Sequence, residues 1–415
     1  MTRYLVNPLL LFLAVWGTAV ALYAGGVYAG TFPAPGATLW AAVLLNVGGF
    51  SLGYLTWAAF RRFLPPAEPD LPGVKVLSPE RIIRVLQLAG FMGLLALALA
   101  VYRTTVIASS LGMSVWDLLT DPGMLRNGFA MFVTAGVFEA NWLVMLNSIT
   151  NALFSVGFVL LGVLLQVDTG RRKYLYACGF LLIALAIGLT SVSRYEATVN
   201  IVYMVFAYCV VRGLDRRRAA GHSLLAMLLP LLAVAVLFFM IDLLLHKSAE
   251  YGRPDRLQGF LYHLFWYLAS PLAAFNELLT SFDGHHHLGQ YTFFPLYKWL
   301  SRFHLAPEAD ISVFGEFVLV PYLANTYTYL QNFYEDFGLI GVTVAPYLLG
   351  LTVSILKTRA GRYFACLNLY SVLLVLILFS FYNFFLFSNQ VYLQMLFGFL
   401  FFRYEEIRLD YADRE

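Results

Sequence analysis

An all-α, polytopic integral membrane protein is the fold class this sequence predicts, and three observations carry the prediction. The 415 residues are 60% hydrophobic and only 12% charged, with a mean hydropathy of +0.73; water-soluble domains do not have this composition. Apolar runs long enough to cross a hydrocarbon core of about 30 Å recur from end to end. The Lys and Arg residues collect in alternate connections between those runs. Backbone in lipid must satisfy its own hydrogen bonds, so the runs are predicted helices. A β-barrel would need short alternating segments, and the sequence has none.

About ten spans are predicted, near residues 5–25, 37–60, 84–108, 143–166, 174–192, 196–212, 222–245, 327–356, 362–381 and 384–402. The first resembles a signal peptide in position, but its apolar part is long and no small-residue cleavage site follows, so it is kept as a span. With an even count and the N-terminus inside, 19 of the 27 Lys and Arg fall on the cytoplasmic side. That bias follows the positive-inside rule and puts both termini in the cytoplasm. The net charge of +3 is then a topology signal and no argument for nucleic acid. Cys178, Cys209 and Cys366 fall inside predicted spans and read as apolar packing residues.

The chain reads as one membrane domain, 1–415, without a 20–50-residue repeat. Residues 61–80 are a Pro-rich cytoplasmic linker. Residues 109–141 form a first outer loop, in which Ser114 to Leu119 suits a short surface helix. Residues 191–196 turn between two spans. Residues 246–326 are a second outer segment of about 80 residues, too long for a passive connection. Within it, 257–279 is rich in aromatics and is expected to be an interfacial or re-entrant helix, because a full span would invert everything after it and spoil the charge bias.

The last outer segment runs into a polar stripe. Asn325, Tyr329, Asn332 and Asp336 share one face if a helix begins at Asn325 and continues to Lys357. Such a helix would be some 45 Å long and stand proud of the bilayer, leaving Asp336 near one interface. A carboxylate there marks a functional site by default.

The outer arginines suit a phosphate or pyrophosphate, which guanidinium binds bidentately without ever losing its charge. They are Arg194, at the tight turn, and Arg253 and Arg256, three residues apart. The competing reading of Arg194 is a side chain that snorkels to headgroups or pairs with Glu196. Proton acceptors near the outer interface are Glu196, Glu277, Glu335 and Asp336, with His285, His286, His287 and His304 beside them. Three adjacent histidines cannot all face one ion from a regular element, so no metal site is assigned. Asn147 and Asn151, four apart within a span, suit helix-to-helix contact. Walker A, Gly-rich dinucleotide, His-Glu-x-x-His and Gly-x-Ser-x-Gly motifs are absent. The charged groups lie outside the spans, which disfavours an ion-coupled transporter with a midplane site.

Two stretches carry a family resemblance. Asn325-Thr326-Tyr327-Thr328 … Phe333-Tyr334-Glu335-Asp336-Phe337-Gly338 … Gly341 resembles the C-terminal signature of bacterial oligosaccharide repeat-unit polymerases, the Wzy-type polymerases of O-antigen, common-antigen and capsule assembly. Gly289-Gln290-Tyr291-Thr292-Phe293-Phe294-Pro295 resembles the Thr-Phe-x-Pro stretch that precedes it in that family. Ser193-Arg194 resembles its central Ser-Arg, with Tyr195 where a Gly is often seen. The resemblance implies a GT-C-like glycosyltransferase of the inner membrane, with its active site facing the periplasm or cell exterior. It implies that a glycan moves from undecaprenyl pyrophosphate to the next lipid-linked repeat unit, without metal or cofactor. On that reading Arg194 holds the pyrophosphate with Arg253 or Arg256 assisting, and Asp336, Glu335 or His287 takes the acceptor proton. Asn325, Tyr327, Tyr329 and Tyr334 contact sugar. The partners implied are the lipid-linked oligosaccharides, the bilayer, a chain-length regulator and a flippase. An O-antigen ligase with the same donor, and a non-catalytic transporter of lipid-linked glycan, remain the alternatives.

Overall fold

A computed structural model describes residues 7–63, 75–120, 124, 128, 142–168, 170–191, 194–213, 256–307, 311, 317–382, 386 and 388–407. The predicted span 222–245 and Arg253 lie outside the described residues. The chain is mostly helical. Its long helices are α1 (Pro8–Tyr28), α2 (Ala37–Phe60), α3 (Pro79–Ser110), α5 (Trp142–Val167), α6 (Arg172–Thr190), α7 (Arg194–Arg212), α8 (Arg256–Ser281), α10 (Leu330–Lys357), α11 (Phe364–Phe379) and α12 (Asn389–Phe402). Short helices α4 (Val115–Thr120) and α9 (Phe294–Arg302) lie in the connections. Among the described residues, six helices are long and apolar enough to cross a membrane: α1, α2, α3, α5, α6 and α10. This architecture is compatible with an all-α membrane protein.

Local sequence explains where several helices start. Asn7 caps α1 by accepting the Leu9 N–H at 3.2 Å, with Pro8 in the first turn. Ser78 does the same for α3, accepting the Arg81 N–H at 3.3 Å, with Pro79 and Glu80 following. The 61–80 linker is therefore shorter than expected: α3 begins at Pro79 and contains Arg81 and Arg84. Ser114 and Asp117 cap each other's backbone N–H at the start of α4.

Packing divides into two groups joined by α11. On one side α2 and α10 form the most extensive helix pair, with α1 and α8 beside them. Gly49 and Gly53, spaced as small-xxx-small, let the two backbones touch. A Cβ on Gly49 would lie 2.6 Å from the Thr343 carbonyl oxygen, and one on Gly53 would collide with that of Tyr347. On the other side α5 is the centre, packed by α3, α7 and α12. Its residues from Ala152 to Leu164 are almost all buried, as expected of a helix apolar all round. Asn147 and Asn151 bond to each other within α5. The polar contact between helices is instead made by Ser155, whose hydroxyl donates to Asn200 at 2.7 Å and accepts from Gln390 at 3.2 Å.

Three further features matter for the site, the last two of them differences from the sequence expectation. Residues 257–279 belong to one continuous 26-residue helix, α8, in spite of Pro271. The C-terminal helix begins at Leu330, not Asn325, so Asn325 leaves the polar stripe. It is also broken at Gly338, whose φ of 60° and ψ of −149° lie in a region open essentially to glycine alone. The single 45 Å rod is therefore a short helix, a glycine kink and a longer helix. At the end of the chain, β1 (Lys75–Val76) pairs in parallel with β4 (Glu405–Glu406). Arg81 of α3 bonds Glu405 at 2.8 Å and Arg362, between α10 and α11, bonds Glu406 at 2.9 Å, which fixes β4 from two further sides.

Candidate functional site

The two motif stretches fold onto each other. The loop from Asp283 to Phe293 lies along the first turns of α10, and five contacts fasten it there. Asp336 accepts the Tyr291 N–H on Oδ1 at 3.1 Å and the Thr292 N–H on Oδ2 at 2.6 Å. Asn332 Nδ2 donates to the Tyr291 carbonyl at 3.3 Å. The His287 N–H donates to the Glu335 carbonyl at 3.0 Å, and His286 Nδ1 lies 3.3 Å from the same oxygen. Gly338 completes the fit: a Cβ there would sit 3.2 Å from the His286 ring. The spacing of Asn332 and Asp336, one helical turn apart, is what lets both reach the same loop.

Asp336 is 0% exposed. Both its oxygens are engaged by backbone N–H groups, so it acts here as the clamp of the loop. Glu335 is buried as well. His287 differs from both, being half-buried and set edge-on to Tyr291 at 5.1 Å and to His285 at 5.2 Å. It lines an open groove of about 540 Å³ bounded by the histidine loop, α9 and residues 305–307. A neutral imidazole in that position can accept a proton and then hold it within hydrogen-bond reach. Among the described residues, no three His, Cys, Asp or Glu side chains gather as a metal site requires.

The aromatic candidates separate. Tyr329 is wholly enclosed, and its hydroxyl donates to Asn46 Oδ1 of α2 at 2.6 Å. Its ring packs on Trp16 and Phe333 in the core. Tyr327 is buried too. Tyr334 is half-buried and packs edge-on to Phe275, Phe282 and His286, tying the histidine loop to α8. Asn325 is half-buried and follows the hairpin of β2 (Val318–Leu319) and β3 (Leu323–Ala324). Trp266 of α8 holds that hairpin by donating Nε1–H to the Val320 carbonyl at 3.1 Å.

The three arginines are not brought together by anything described. Arg194 and Arg256 are the first residues of α7 and α8, and their side chains lie outside the described residues, as does all of Arg253. Glu196 and Arg103 of α3 attract each other electrostatically. The sequence carries no signal for this pairing, since the residues belong to separate spans with two others between them.

A second aromatic group was also not anticipated. His263 is buried edge-on to Tyr267 at 4.6 Å, and Tyr267 stacks on Tyr382 at 5.5 Å. It lies beside the hairpin that leads to Asn325. Comparison of the chain with models of protein families, with curated proteins and with solved structures returned no match.

Proposed function

We propose that this protein is an integral-membrane glycosyltransferase of the oligosaccharide repeat-unit polymerase type. It transfers a growing glycan from undecaprenyl pyrophosphate to the next lipid-linked repeat unit, at the outer face of the cytoplasmic membrane. The proposal includes ten spans, both termini inside and a GT-C-like architecture.

The observation that carries this reading is the contact between the two motif stretches. Residues 289–295 and 325–341 are separated in sequence, yet Asp336 and Asn332 fasten the one to the other through Tyr291 and Thr292. A signature read from residue types is thus also a structural unit, with His287 at its edge beside an open groove. In the reaction, an acceptor hydroxyl attacks the anomeric carbon of the donor sugar. Its proton passes to His287, the bond from carbon to the pyrophosphate oxygen breaks, and lipid pyrophosphate leaves. The charge that develops on that leaving group requires preorganised cations. Arg194, with Arg253 or Arg256, is assigned to it. Asp336, with both oxygens engaged, holds the loop that presents His287.

The test is turnover of the purified protein with the cognate lipid-pyrophosphate-linked repeat unit, in chelator and without divalent metal. A product ladder at repeat-unit spacing, lost in both Arg194→Ala and Arg194→Lys, is the expected result. A full ladder from Arg194→Lys would remove the bidentate role, because lysine offers only a point charge. Transfer only when a lipid A-core acceptor is supplied would make the protein a ligase. Headgroup binding with no transfer to either acceptor would make it a transporter.

A further inference from the structure

The helix that follows the histidine loop presents an apolar face to the outside. On α9 and its flanks, Leu296, Trp299 and Phe303 are exposed, and Phe303 and the neighbouring Leu305 each reach 73%. On a helical wheel Leu296, Trp299 and Phe303 fall at about 0°, −60° and −20°, while the positions of Lys298 and Arg302 fall at about 200° and 240°. The apolar and basic positions thus occupy opposite sides of a nine-residue helix. The Lys298 ammonium lies over the Phe294 ring, 5.7 Å from its centre, on the side away from Leu296.

This face does not stand alone. Gly289 sits between Phe293, at the start of α9, and Phe337, on α10; a Cβ added there would lie 3.2 Å from one ring and 3.4 Å from the other. Phe337 heads a stripe on α10 made of Ile340, Val344 and Leu348, all exposed, with Ile340 at 73%. That stripe points away from α2, against which α10 packs through Gly350 and the backbone near Thr343 and Tyr347. It belongs to a helix long and apolar enough to cross a membrane, so its outward side is the side that meets lipid. The apolar face of α9 therefore continues a lipid-facing surface around the end of the bundle.

We infer that the segment from Phe293 to Leu305, which contains α9, lies in the plane of the membrane surface, with its apolar face in the acyl boundary and Lys298 toward phospholipid phosphates. Amphipathic helices with an aromatic and aliphatic face opposite basic residues bind bilayers in this way. Tryptophan is favoured at that depth, with its ring in the apolar layer and its N–H toward the headgroups. If the proposed function holds, this position keeps the groove beside His287 at the level from which a lipid-linked substrate arrives. The membrane position itself does not depend on that function.

The experiment uses the full chain in phosphatidylcholine and phosphatidylglycerol nanodiscs, with and without lipids brominated high on the acyl chain. The protein has 7 Trp, so the contribution of Trp299 is taken as the difference between the native protein and Trp299→Phe. We expect that difference emission to fall at least twofold with brominated lipid. Unchanged difference emission would overturn the inference, and concentration-dependent dimerisation through this face would replace it with a self-association surface. A second measurement does not rely on emission. Spin labels at Leu296→Cys and Lys298→Cys should differ, with the Leu296 site several-fold more accessible to oxygen than to a water-soluble nickel complex. Equal accessibility at the two sites would also overturn it. Neither measurement reads turnover, so failure of the polymerase reading would leave both results standing.

Discussion

Asp336 and Thr292, far apart in the chain, are joined by a 2.6 Å hydrogen bond from the Thr292 backbone N–H to the Asp336 carboxylate. A second bond reaches the other oxygen from Tyr291. A buried carboxylate that takes two backbone donors is the strong form of hydrogen bond, worth about 1.5–3 kcal/mol for each bond to a charged group. Asp336→Asn keeps the shape but turns one acceptor into a donor that faces an N–H. The expected outcome is a lower Tm in detergent with most turnover retained. Unchanged Tm with turnover lost would assign Asp336 to the chemistry.

Gly338 holds the kink against which His286 rests. Its φ of 60° and ψ of −149° are strained for any other residue, at a cost on the order of 1–3 kcal/mol. A methyl group would also press on the His286 ring at 3.2 Å. Gly338→Ala should lower Tm and reduce turnover together, since the loop carrying His287 must shift. A variant with native Tm and native turnover would show that the kink is dispensable.

Tyr329 distinguishes a core role from a sugar-binding one. Its hydroxyl is bonded to Asn46 at 2.6 Å, and neither residue is exposed. Tyr329→Phe leaves the Asn46 oxygen without that donor, a loss of about 1–3 kcal/mol. Thermal unfolding should register this, while the KM for lipid-linked substrate stays within about twofold, a difference of only some 0.4 kcal/mol. A large rise in KM at native stability would return Tyr329 to the substrate.

Glu405, in the strand pair outside the spans, gives a pH signature. Burial lifts its carboxyl above the ordinary value of 4.5, and Arg81 and Lys75 only partly offset this. A carboxyl raised in the folded state favours folding when protonated. Its contribution is therefore complete below the unfolded value and is lost as pH rises through the folded one. Glu405→Gln stays neutral throughout. The Tm of the variant minus that of the native protein should then increase from about pH 4 to about pH 7. A decrease over that range would mean that the 2.8 Å ion pair with Arg81 outweighs burial.

Several features of the fold are legible in the sequence because they are local. Asn7 and Ser78 announce the helices they cap, and Ser114 with Asp117 announces α4. The apolar runs place the membrane-length helices to within a few residues, because hydropathy needs no partner. The start of α10 was misplaced for a related reason. Asn325 to Tyr329 continue the helical pattern of the residues after them, but they emerge from the hairpin held by Trp266 and end at the bond from the Tyr329 N–H to the Ser380 carbonyl at 2.9 Å. The break at Gly338 has the same origin, since a glycine in an apolar helix looks like a packing residue until the His286 ring is set against it.

The candidate site divides along the same line. Residue types and spacing single out 325–341 and the histidine cluster, and a family resemblance adds 289–295. That Asp336 is buried with both oxygens on loop N–H groups, that Tyr329 is enclosed and bonded to Asn46, and that Glu196 and Arg103 interact came only from tertiary structure. The sequence by itself determined a chain of helices long and apolar enough to cross a membrane, with polar chemistry gathered around the last long one, because those properties follow from local hydropathy and periodicity. Tertiary structure alone decided the burial and hydrogen-bond partners of each polar residue described, because these depend on which distant segments pack against it.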